Sequence, residues 1–307
     1  MLTSFFSKSK PVNGIAISIL LSIFFIIANF NEWFTDFKIL VFLEKIAVLL
    51  SLILSVFILN FIAKKNELTR RSAYKMLFFV LFSISFFALL RNHQAIFANL
   101  CLLFAFRRIL SLKSKKVTQK KIFDATFWIC IASLFYFWTI LFVVVVYAGI
   151  LYYLPAFKNW FIPPLAFLCV MFLCLSFHIV AYDEWYTFFQ WFQESNLDFS
   201  SYQNLDILIP ISIILALTLW TLTNFLSVVR KVSVSLKASL NLILLSLLTA
   251  IAVAVLAPTK DGSELIFFFV PLSIITSIYF DQKRDKIFRE VLLVLLILMP
   301  LSIPFIF

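Results

Sequence analysis

The chain has 307 residues, 63% hydrophobic and 13% charged, with a formal net charge of +11 and a mean hydropathy of +1.05. Soluble domains are about half apolar and about a quarter charged, so this composition excludes one and indicates a polytopic helical membrane protein. The basic excess does not point to nucleic acid as a partner, because it lies in short loops between apolar runs, as the positive-inside rule expects.

Lys8 and Lys10 precede the apolar run Gly14–Ala28. Lysines before a short apolar run resemble a signal peptide, but no small-residue cleavage site follows, so the run reads as an uncleaved first span over 14–30. It leads through NEWFTDFK to a second span at 39–63, which ends in the basic stretch Lys64–Lys75. A third span (75–90) reaches the turn Arg91-Asn92-His93-Gln94, and a short fourth (95–107) returns to the cluster Arg107–Lys121.

The run Ile122–Leu154 is too long for one comfortable crossing of about 20 residues. A tight hairpin near Phe135–Trp138 makes it two and puts Lys158 on the basic side; the alternative makes one half re-entrant or interfacial. Further spans follow at 162–180, 207–229, 238–257, 265–280 and 290–306, with the turn PTKDGSE between 238–257 and 265–280. The basic clusters Lys8–Lys10, Lys64–Lys75, Arg107–Lys121, Arg230–Lys237 and Lys283–Arg289 all fall on one side, assigned to the cytoplasm. The expected fold is therefore all-α: a single integral membrane domain over 1–307, a transmembrane helical bundle of about 11 spans (10 to 11). Its N-terminus is expected in the cytoplasm and its C-terminus in the periplasm. The acids agree, since nine of them, Glu32, Asp36, Asp183, Glu184, Glu194, Asp198, Asp206, Asp261 and Glu264, meet only Lys38, Arg91 and Lys260 on the outer side.

Tyr182–Asp206 carries five acids and no Lys or Arg. Within this periplasmic acidic and aromatic loop, Trp185, Phe188, Phe189 and Phe192 recur at i, i+3, i+4 and i+7, which predicts an outer-face interfacial amphipathic helix. An acidic loop with some aromatic packing is the competing reading. With 3 Gly and 40 Phe, close G-x-x-x-G contacts are absent, and packing falls to small Ser, Ala and Thr positions and interlocking rings. Cys101, Cys130, Cys169 and Cys174 lie in apolar runs without a C-x-x-C pair and read as small buried hydrophobes. Glu44 and Lys45 sit inside the second span and need separate partners, because adjacent residues do not face one another on a helix.

The outer side gathers the candidate chemistry. Arg91 stands where topology disfavours a cation, and its guanidinium suits a phosphate or pyrophosphate; pairing with Glu32 or Glu264 is the competing reading. Glu32 and Glu264 are the candidate catalytic acids, Glu32 as a general base deprotonating an acceptor hydroxyl or simply as a solvated loop acid. His93, His178, Asp183, Glu184 and Lys260 complete the candidate ligand-binding set; for the histidines, polar packing is the competing reading. No metal and no cofactor is expected: two distant histidines cannot ligate a membrane iron centre, and three glycines build neither a P-loop nor a dinucleotide fingerprint. Voltage sensing would need Arg at three-residue spacing within a span, and none is present.

SFFSKSKPVN (4–13), RNHQAIFANLCLLFAFRRILSLKSKK (91–116), KKIFDATFWICIASLFYFWTILF (120–142) and KDGSELIFFFVPLSII (260–275) together carry a likeness that spans the chain. On these stretches the sequence resembles a family of polytopic inner-membrane proteins of Bacteroidota, of this chain's length and without an established activity. The resemblance implies a Gram-negative inner-membrane location and a pattern that includes Arg91, Asn92, the Arg107-Arg108 pair, Asp124, Gly262, Ser263 and Glu264. The leading functional expectation is action on polyprenyl-phosphate-linked glycans at the periplasmic face, in the manner of a glycosyltransferase or polymerase. The alternatives are a non-catalytic subunit or scaffold of an envelope secretion, motility or assembly complex, and a transporter. The expected partners are accordingly the lipid bilayer, a polyprenyl-phosphate lipid and other envelope membrane proteins.

Overall fold

Backbone amides in hydrocarbon must find their partners within the segment, so long apolar runs are forced into helices. The computed structural model of the chain describes residues 2–31, 38–282 and 286–306, and no strand occurs among them. Helices run at Leu2–Phe6 (α1), Pro11–Ala28 (α2), Ile39–Lys65 (α3), Tyr74–Ile84 (α4), Phe87–Arg91 (α5), His93–Leu110 (α6) and Thr118–Phe135 (α7). They continue at Val143–Tyr153 (α8), Ile162–Tyr182 (α9), Phe188–Trp191 (α10), Leu205–Lys231 (α11), Val234–Leu256 (α12), Ile266–Phe280 (α13) and Lys286–Ile306 (α14). Among the described residues seven helices are long and apolar enough to cross a membrane: α2, α3, α6 with the turn after it, α9 with the turn before it, α11, α12, and α13 with the turn before it. The chain is thus an all-helical protein with multi-pass character.

The third predicted span is not one helix. Ser85 and Phe86 interrupt it, and the chain breaks again at Asn92, whose side chain accepts from the Ala95 N–H and caps α6. The run at 122–154 is also broken, with Tyr136 extended between α7 and a 3₁₀ turn at Phe137–Phe142 that feeds α8. α8 packs back along α7, and Lys115–Lys120 and Tyr153–Asn159 line one surface cavity, so the run returns to the end from which it started. Lys158 accordingly shares the end that carries Lys115 and Lys120.

Burial sorts the helices. α4 is buried along its whole length and α13 nearly so, while α9 has only 11% of its apolar window covered. α4 and α13 pack on each other at the centre, cemented by ring contacts such as Phe78–Phe280 (4.7 Å), Phe82–Phe269 (5.7 Å) and Phe86–Phe269 (5.7 Å). Offset and tilted rings replace the small-residue contacts that three glycines cannot provide. Pro210 and Pro271 lie inside α11 and α13, and Pro163 opens α9. The four cysteines are free, Cys101 and Cys130 buried and Cys169 and Cys174 half-buried.

The expected interfacial helix over 182–206 is corrected: between the end of α9 and the start of α11, only Phe188–Trp191 and the 3₁₀ turn Ser200–Gln203 are helical. Trp191 is buried, donates from Nε1 to the Ser133 carbonyl (3.1 Å), and meets Phe137 edge-on at 4.9 Å. Phe192 also reaches Phe137 (5.0 Å), and Gln193 accepts from the Phe137 N–H. Trp191 and Phe192 therefore seal the α7–α8 break, while Trp185 and Phe189 are exposed.

The bundle has two chemically distinct ends. α3 and α6 run side by side in the same direction: His93 meets Glu44 near the start of both, and Lys65 and Arg107 line one cavity near their finish. We call these the acidic and the basic end.

Candidate functional site

At the acidic end, Arg91, Asn92, Tyr202, Asp261 and Glu264 gather around the turn Ala257–Gly262 between α12 and α13. Gly262 has φ +91, a left-handed conformation, and an added Cβ would stand 2.6 Å from Cδ1 of Phe86, so glycine is needed twice over. That close approach seats the turn on the α4–α5 break. Asn92 donates to Ser263 Oγ (2.9 Å), and Ser263 donates from N (3.0 Å) and Oγ (2.6 Å) to Asp261 Oδ1. Two helix breaks distant in sequence are thus tied by one short chain of hydrogen bonds.

Glu264 is completely buried, with Oε2 accepting from the Gly262 N–H (3.0 Å) and Oε1 from the Tyr202 hydroxyl. A buried carboxyl is tolerated only when its oxygens are satisfied, and this arrangement does so. Burial and then the neighbouring Glu264 hold the Tyr202 phenol above its usual range, so it remains a donor. Lys260 is buried too, its Nζ donating to the carbonyls of Ala254 (2.6 Å) and Val255 (2.7 Å) at the C-terminal end of α12 and lying 5.0 Å from the Phe199 ring centre. Burial holds its ammonium below the usual lysine range, against the opposing pull of Glu264.

Beside this network lies a pocket of about 610 Å³ lined by Ser85, Phe86, Arg91, Ser201, Asp206 and Asp261, among others. Arg91 Nε donates to the Ala28 carbonyl (2.7 Å), which fixes the guanidinium at the pocket wall. On the other side of the Ser200–Gln203 turn, an apolar crevice of about 330 Å³ runs between α11, α12 and α13, with Phe199 and Tyr202 at its acidic end and Thr218, Leu219 and Leu222 deeper in. Ser201 thus lines the polar pocket and Tyr202 the apolar crevice, one residue apart.

The sequence candidates part company here. Arg91 lines the pocket; Glu264 and Lys260 lie buried behind it, in the turn that supplies Asp261. His93 points elsewhere, its Nδ1 3.3 Å from Glu44. Lys45, next to Glu44, donates instead to Asn29 Oδ1 (2.9 Å), and Asn29 donates to the Leu90 carbonyl, so the two intramembrane charges are served by different helices. His178 lies between the rings of Tyr182 and Tyr186 with Nδ1 3.2 Å from the Glu184 carbonyl, at the end of α9, and neither it nor Asp183 nor Glu184 lines the pocket. Glu32 lies outside the described residues.

Tyr202, Asn92, Ser263 and Asp206 are not among the binding or catalytic residues that the sequence suggests. Asn92 had a signal, an Asn placed to cap the helix after a break. Among the described residues no group of three or more His, Cys, Asp and Glu is placed to hold a metal.

Residues 1–306 match the Family of unknown function (DUF6427), and the chain belongs to that family. No curated protein and no solved structure matches it.

Proposed function

We propose that this member of the DUF6427 family is an integral membrane protein that takes a polyprenyl-phosphate-linked glycan at its acidic, periplasmic end. The observation that carries the reading is the pairing of two cavities across one turn: an apolar crevice opening between helices and a polar pocket with a fixed arginine. An amphiphile fits that pairing, its isoprenoid chain in the crevice and its phosphate at Arg91, which can grip phosphate bidentately. Asp261 and Asp206, on the same wall, are placed to take a proton from an acceptor hydroxyl, the chemistry a glycosyltransferase or polymerase needs. Glu264 acts through Tyr202 and the Gly262 turn as a positioning residue for that wall. On this reading the membrane is a bacterial inner membrane and the basic end faces the cytoplasm, as the positive-inside rule expects.

The test is lipid extraction from the tagged protein purified in mild detergent. Co-purifying polyprenyl-phosphate lipid, lost in Arg91→Ala while the protein still elutes as a folded species, is the expected result. Equal lipid in both proteins, or no such lipid in either, overturns the reading.

One observation favours a second reading. α9 has only 11% of its apolar window buried, against 33% or more for the other spans, and Phe172, Phe177 and Val180 are exposed along it. A non-catalytic subunit of an envelope complex would use such a face for another membrane protein, and a stoichiometric protein partner in the same purification, without the lipid, favours that reading.

A further inference from the structure

The opposite end of the bundle carries a second, differently built cavity. Lys65 at the end of α3 and Glu67 just beyond it, Arg107 and Arg108 near the end of α6, Lys113 and Ser114 in the 3₁₀ turn after it, and Lys121 in the first turn of α7 line about 450 Å³. Positive-inside topology asks only that cations lie on this side, and long side chains splayed into water satisfy it. Here they converge from three segments of the chain instead. Lys65 and Arg108 lie close enough to repel the Lys121 ammonium. Lys121 is nonetheless held in place, donating to the Ser111 carbonyl (2.8 Å) and Ser114 Oγ (2.6 Å). Asp124 takes up Arg108 at 3.0 Å. Glu67 is the single acid among the lining residues, so five cations face two carboxylates and the cavity keeps a net positive charge.

Beside the cavity, two of its lining cations share one aromatic ring. The Lys65 ammonium and the Arg107 guanidinium lie 5.4 Å and 5.3 Å from the centre of one ring, Phe61. Phe61 is itself partly exposed, and with Phe57, Leu54 and Leu50 it forms an exposed apolar stripe at helical spacing running from the cavity along α3 towards the bundle's middle. A concave cluster of cations at a helix end, continuous with a lipid-facing apolar stripe, has the shape and charge of a phospholipid site.

We propose that this cavity binds the phosphate of an anionic glycerophospholipid, with an acyl chain lying along Leu50, Leu54, Phe57 and Phe61. Arg107 and Lys65 meet the phosphate from the membrane side, and Lys113 and Lys121 from the loop side. Arg108, already paired with Asp124, frames the cavity.

The test uses the full chain in nanodiscs or detergent and native mass spectrometry with phosphatidylglycerol, phosphatidylcholine and inorganic phosphate as probes. The double variant Arg107→Gln/Lys121→Gln removes two cavity cations; Lys116→Gln/Lys120→Gln removes the same charge from residues outside the cavity. Retained phosphatidylglycerol is expected to fall by roughly tenfold or more in the first variant, which loses two phosphate-facing cations, and to stay unchanged in the second. Lys113→Gln, which removes a cation without touching a ring contact, gives a smaller loss and keeps the test informative if the double variant misfolds. Equal loss in both double variants means general surface charge and overturns the proposal, as does equal retention of phosphatidylcholine. Displacement of the lipid by millimolar inorganic phosphate would keep the anion site but overturn the lipid as its occupant.

Discussion

The two ends of the bundle use charge in opposite ways. At the acidic end Glu264 and Lys260 are buried and Arg91 is anchored through Nε, so position is fixed by hydrogen bonds to backbone and phenol. At the basic end the cations outnumber the acids around them and lie close enough to act on one another. Buried polar groups are expensive unless fully satisfied, so a chain that buries them at one end has committed that end to one geometry. The basic end holds Lys121 and Arg108 in place but keeps a net positive charge, which attracts anions over about a Debye length, roughly 8 Å at physiological salt. The acidic end is thus built for discrimination and the basic end for attraction.

The contrast breaks most visibly at Gly262. Gly262→Ala forces a β-carbon into the Phe86 ring at a positive φ and is expected to cost about 3 kcal/mol. It should lower the unfolding midpoint in detergent by several degrees, and Phe86→Ala in the same chain should recover part of the loss. No change in the midpoint would mean that the turn is not seated as described. Glu264→Ala comes next, since it leaves the Tyr202 hydroxyl and the Gly262 N–H without their acceptor and should cost about 1–3 kcal/mol. Glu264→Gln keeps an acceptor and should cost less; equal losses would show that charge, not hydrogen bonding, is what the turn needs.

A pH series sharpens the same point. The folded Tyr202 phenol titrates above its unfolded value, so its contribution is whole below the ordinary tyrosine range, around pH 10, and is lost as pH rises through the folded value. The wild type should therefore lose stability above about pH 10 more steeply than Tyr202→Phe, followed by thermal unfolding at stepped pH. Parallel curves would contradict the buried hydrogen bond. The smallest effect belongs to the basic end, where Lys116 is exposed: Lys116→Gln should shift stability by no more than about 0.5 kcal/mol, read from the same unfolding midpoint.

Much of this architecture is legible in the sequence, because hydrocarbon leaves an apolar run few options but a helix. The reversal expected near Phe135–Trp138 falls at Tyr136, and the polar turn around Glu264 meets Arg91's end of the bundle as the charge pattern suggests. The failures are tertiary. The i, i+3, i+4 aromatic pattern after Tyr182 predicts a helix, but Trp191 and Phe192 are claimed by Phe137 across the α7–α8 break, and that packing outweighs local periodicity. His93 and Arg91 are two residues apart, yet the Asn92 cap turns them towards different helices. Tyr202 could not be foreseen, since its role exists only once the 200–203 turn is laid against the α12–α13 turn.

The proposed function stands on the pocket and the crevice together holding one amphiphile. Its most direct test is equilibrium binding of a short-chain polyprenyl phosphate to the purified protein, compared with Arg91→Ala, with the crevice-filling Ile251→Trp, and with the unphosphorylated polyprenol. The account predicts saturable binding weakened at least about tenfold by Arg91→Ala, the cost of one charged hydrogen-bonded contact, weakened also by Ile251→Trp, and nearly abolished for the polyprenol. Binding that both variants and the polyprenol leave unchanged would contradict it.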